Sequence, residues 1–103
     1  MTQSPVFEWL TERIAHATGL NRLVARGTVR IALREMGLDP RTVGKREMAA
    51  VLRTNMTRLL EAHKVDGARS LCERLDRDLS GASLAEAAVD APEDIFKRLA
   101  RNS

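Results

Sequence analysis

Helix starts and stops recur along this chain, and they constrain it more than any other feature. Ser4-Pro5 is a start, because Ser offers an oxygen to free N–H groups and Pro at the first helical position has none to leave unpaired. Phe7, Leu10, Ile14 and Ala17 follow at spacings of three and four, which lays them on one face, and Gly19 is a stop. Trp9 lies off that stripe. A second segment opens at Asn21 and runs to Met36, closed by Gly37 and the Asp39-Pro40 turn. It carries two apolar rows, one of Leu20, Val24, Gly27 and Ile31, the other of Ala25, Val29, Ala32 and Met36. A helix apolar on two sides is expected at the centre of a bundle, with neighbours on both flanks. Gly27 costs about 1 kcal/mol of helix propensity against Ala and is read as serving close helix packing.

The third segment is the longest. Gly44 and Glu47 permit a capping arrangement, and Met48, Leu52, Met56, Leu59, Leu60 and His63 then gather on one side, so the pattern predicts one continuous helix. Asp66 is expected to begin a fourth helix with Ala68, Leu71, Cys72, Leu75 and Leu79 on its face, ending at Ser80-Gly81. Ser83 with Glu86 reads as a capping box. Asp90, Pro92 and Glu93 start a last short helix carrying Ile95, Phe96 and Leu99. No run of alternating β-branched and polar residues occurs, and no hairpin turn separates two apolar runs. The expected fold is all-α: a compact bundle of four main helices plus a short C-terminal one.

At 103 residues the chain is read as a single domain, 1–103. Phe7, Trp9 and Phe96 are its only aromatics, so the core must be aliphatic. One cysteine forbids an internal disulfide and suits a reducing compartment. No stretch approaches the length of a membrane span and the start lacks the pattern of a signal peptide, so a cytoplasmic protein without membrane contact is expected.

The net charge of +3 hides an asymmetry. Residues 1–58 hold ten basic and five acidic residues, residues 59–103 seven and nine. Arg22, Arg26, Arg30 and Arg34 recur every four residues, a spacing that drifts by about 40° per step and winds them into one slow stripe. Arg46 and Arg53 add to it from the third segment. One reading is an anion-binding surface for nucleic-acid phosphates or an acidic protein, since Arg forks onto both phosphate and carboxylate. The other is a solvated face whose arginines pair with acids of the C-terminal half such as Glu61, Glu73, Asp76 and Asp78. A helix-turn-helix is poorly supplied: the stretch from Gly37 to Gly44, interrupted by Pro40, is too long for its tight turn.

Catalytic constellations do not emerge. His16, His63 and Cys72 match no zinc-ligand spacing, and Cys72 between Leu71 and Leu75 reads as a buried, inert thiol. Gly44-Lys45 lacks the second glycine and the hydroxyl of a phosphate loop. No metal, cofactor or enzymatic activity is expected. Asn55 falls by phase among Met48, Leu52 and Leu59, either as a register or specificity residue at a helix–helix or dimer interface or as a hydrogen bond to loop backbone. Trp9, with Phe7, is an anchor for a partner helix or a cover for one end of the bundle. The leading expectation is a non-catalytic interaction module, a small regulator or adaptor that binds an acidic or amphipathic protein surface, or itself as a homodimer. The rival is a nucleic-acid-binding protein contacting phosphates through Arg22, Arg26, Arg30, Arg34, Arg46 and Arg53.

Overall fold

A computed structural model describes residues 3–84 of the chain, and among them all regular structure is helical. The helices are α1 (Pro5–Thr18), α2 (Arg22–Glu35), α3 (Lys45–Thr54), α4 (Met56–Ala62) and α5 (Ala68–Gly81). Glu86 of the Ser83–Glu86 capping box and the helix expected from Asp90 onward lie outside the described residues.

The starts and stops follow from local chemistry. Ser4 Oγ accepts from the Phe7 N–H at 3.0 Å, and the Ser4 N–H donates to the Pro40 carbonyl at 2.9 Å. That second bond fixes the beginning of α1 against the loop between α2 and α3. Gly19, at φ 76°, takes the left-handed position that ends α1. Asn21 Oδ1 then accepts from the Leu23 N–H at 2.7 Å and starts α2. The Glu47 carboxylate accepts from the Gly44 N–H at 2.9 Å at the head of α3. Lys64 occupies a left-handed position usually given to glycine (φ 63°), and the Val65 N–H returns to the Leu60 carbonyl at 3.1 Å to close α4.

Three expectations are corrected. The third segment is not one helix: Asn55 separates α3 from α4, with φ −122° and ψ −8°. Its side chain reaches sideways to α2. The fourth helix starts at Ala68 rather than Asp66, after Gly67 in the left-handed region. And α2 is not covered on both flanks. Ala25, Val29, Ala32 and Leu33 are fully buried, whereas Leu23, Val24 and Ile31 are 75%, 39% and 45% exposed.

The core is aliphatic apart from Phe7. Phe7, Leu10 and Ile14 of α1 meet the inner row of α2, while Met48, Val51 and Leu52 of α3 and Met56 and Leu60 of α4 meet Leu71, Cys72, Leu75 and Leu79 of α5. The largest interfaces are α3 with α5 and α1 with α2. Among the described residues this arrangement covers α2 from inside and leaves its opposite side bare.

Candidate functional site

The winding of the arginine stripe decides what each arginine does. At about 100° per residue, Arg22 and Arg26 point back toward α1, while Arg30 and Arg34 have rotated onto the outer face. Arg22 Nη2 lies 2.5 Å from Glu12 Oε2. Arg26 places both terminal nitrogens on Glu8, at 3.2 and 3.4 Å, with its guanidinium 5.3 Å from the centre of the Phe7 ring. These two pairs nest about the α1–α2 turn. Two acids one helical turn apart, facing two arginines one turn apart across a short connection, were a signal available in the sequence. Arg53 joins Asp76 of α5 at 2.8 Å, one of the pairings with the C-terminal half read from the sequence. Arg30, Arg34 and Arg46 are exposed and have no ion pair among the described residues.

Asn55 is 7% exposed and sits between α2 and the α3–α4 junction. Its Nδ2 donates to the Ala32 carbonyl at 3.1 Å and to Glu35 Oε1 at 2.8 Å. The interface it serves is therefore inside the chain, and its backbone partner belongs to a helix rather than a loop. Arg58 Nη2 binds the same Glu35 oxygen at 2.5 Å. Together the Asn55 amide, foremost, and the Arg58 guanidinium hold the Glu35 carboxyl below its ordinary value of 4.5.

Phe7 is fully buried and does not offer itself to a partner. Trp9 is half-buried against the core, with the Arg13 guanidinium 4.8 Å from its ring centre, while Arg13 also reaches Asp78 of α5 at 3.3 Å. The residue pair thus closes the α1–α5 side. His63, placed by phase on the apolar side, is exposed, and its Nε2 lies 3.2 Å from Thr28 Oγ1. Cys72 is 3% exposed. Burial pushes its thiol up, against a hydrogen bond with Thr57 that lowers it. Among the described residues no three His, Cys, Asp or Glu side chains come together as metal ligands would, and no helix is long and apolar enough to cross a membrane. Two open clefts, of about 540 and 530 Å³, flank α5, one by His63, Lys64, Ser70 and Arg74, the other by Arg53, Thr57, Cys72 and Asp76.

The outer face of α2 is different. Among the described residues, Leu23, Val24 and Ile31 are the exposed large hydrophobics, and all three belong to this helix. With Gly27, Arg30 and Arg34 they fall within an arc of about 120°. Gly27 lies near the middle of the arc, and a Cβ built on it meets nothing within 4 Å. Its backbone is helical, so neither left-handed geometry nor internal packing requires glycine there. Gly27→Ala is therefore expected to raise stability by about 0.5–1 kcal/mol, through the helix propensity that glycine forgoes. Urea unfolding reads this as a higher midpoint at constant slope; a lower midpoint would show that the glycine is needed inside the fold.

Known proteins give no lead. No family model, curated protein or solved structure matches this chain. The functional reading consequently rests on the side chains described above.

Proposed function

We propose that this chain is a non-catalytic interaction module, a small cytoplasmic regulator or adaptor, that docks a protein partner on the outer face of α2. One observation carries the reading: three exposed large hydrophobics share that face with two arginines that have no ion pair among the described residues. Apolar side chains scattered singly are ordinary on protein surfaces, but three on the same face of one helix are what helix-docking surfaces use. Surface charge at its edge steers a partner and sets orientation.

The test places a photo-reactive benzophenone side chain at position 23, at position 31, or at exposed position 77 of α5 as a control, in the full chain in cell lysate. The same adduct from 23 and 31, absent from 77, is expected. Equal labelling at all three positions, or none, would sink the reading.

A second reading keeps nucleic acid as the partner, and Arg30, Arg34 and Arg46, which have no ion pair among the described residues, favour it. Arg22, Arg26 and Arg53, by contrast, are held by carboxylates. Binding of duplex DNA whose affinity falls with salt, at a log–log slope near −0.9 for each phosphate neutralised, would put this reading first. Against it stand the exposed Leu23, Val24 and Ile31 on the same face, which phosphates would leave without a complement.

A further inference from the structure

The occupant of the α2 face can be stated more closely, on the premise that this face is a protein-docking surface. We propose that it receives an amphipathic α-helix of another protein, with carboxylates along one edge of its apolar stripe, and that the two helices cross at Gly27.

Gly27 supplies the first argument. It weakens α2 by helix propensity, and among the described residues a Cβ placed there meets nothing within 4 Å. Leu23 and Val24 stand one turn before it and Arg30 and Ile31 one turn after, so the missing side chain leaves a saddle between two ridges. Helix axes pack at separations set by the side chains at the contact, and a glycine at the crossing permits the closest approach. A saddle of this shape admits the ridge of a second helix.

Charge supplies the second. Arg30 and Arg34 lie on one edge of the arc with Leu23 between them, and Val24 and Ile31 lie on the other. A partner helix that follows this pattern sets its acids against the arginines and its apolar residues over Leu23, Val24 and Ile31. The same charges oppose a second copy of this chain, because α2 carries four arginines and one acid, Glu35, which is already held by Asn55 and Arg58. Two such faces brought together would set arginines beside arginines with no free carboxylate on the arc to answer them.

The experiment uses two synthetic alanine-based peptides of about 20 residues, long enough to form a helix. Both carry the same leucine stripe; one is flanked by Glu, the other by Lys at the same positions. Fluorescence anisotropy with the full chain at near-physiological salt should show the Glu peptide binding at least tenfold more tightly than the Lys peptide. The double variant Arg30→Glu, Arg34→Glu should reverse that preference. Gly27→Leu should weaken the Glu peptide at least tenfold while its thermal melt stays at or above that of the parent, which separates a blocked crossing from a damaged fold.

Equal affinity for the two peptides, or no binding of either, overturns the acidic-helix proposal. If positions 23 and 31 nevertheless cross-link a common partner, the docking surface stands and only its occupant is wrong; if they do not, both readings fall. A concentration-dependent dimer in sedimentation that Leu23→Asp dissolves would overturn it too, by making the occupant a second copy.

Discussion

Phe7→Ala is expected to remove about 3–5 kcal/mol of stability, the usual cost of truncating a fully enclosed aromatic ring. In a domain of this size, that lowers the melting midpoint by roughly 15–30 °C. The reason is positional as well as volumetric. Phe7 is fully buried in a core otherwise built from aliphatic side chains, and its ring also lies under the Arg26 guanidinium that grips Glu8. Truncation therefore opens a cavity and removes the surface on which that ion pair rests. Urea unfolding followed by circular dichroism measures the effect; a loss below about 1 kcal/mol would contradict the enclosed position.

Asn55→Asp should be nearly as damaging, by about 3 kcal/mol at neutral pH, since it replaces a buried donor with a buried charge. The amide now donates to a carbonyl and a carboxylate, both acceptors. A carboxylate in that position repels both. The pH dependence gives the variant a signature. In the parent, Glu35 is held below its ordinary value, so its contribution is complete above that value and is lost as pH falls through the folded one. In the variant, the new carboxyl is raised by burial and by Glu35. Its penalty is therefore absent below the ordinary aspartate range, near about 3.9, and grows as pH rises above it. The stability difference between the two proteins should narrow on acidification. A gap that stays constant from neutral pH to about pH 4 would show that charge is not its cause.

What the sequence made legible is what is decided locally. The Ser4-Pro5 start, the Gly19 stop and the Asn21 cap each depend on partners within four residues, and all three stand where they were expected. Asn55 could not be read in the same way. Its carbonyl partner, Ala32, is 23 residues away, and a polar residue in a helical stripe looks the same whether the helix continues or bends. The two rows of α2 were visible, but which of them finds a neighbour depends on how α1, α3 and α4 fold around it. That also explains the arginines. Their spacing foretold a winding stripe; the position of Glu8 and Glu12 across the turn divides it into two clamped residues and two with no ion pair among the described residues. His63 was placed on the apolar side by phase, yet it stands at the end of α4, where the chain turns and the side chain reaches out to Thr28.

The way α2 is held has a consequence for binding. Asn21 caps its start, its inner row is fully buried, Arg26 bonds Glu8 and Thr28 bonds His63 at its middle, and the Ala32 carbonyl accepts from Asn55 near its end. The helix is thus ordered before any partner arrives, and association need not order it again. Fixing a backbone takes about 1–2 kcal/mol per residue in lost freedom, an entropy already absorbed by folding on this side of the contact. A surface as small as one helix face can then bind a partner whose own segment is disordered when free, because only one of the two chains has freedom left to lose.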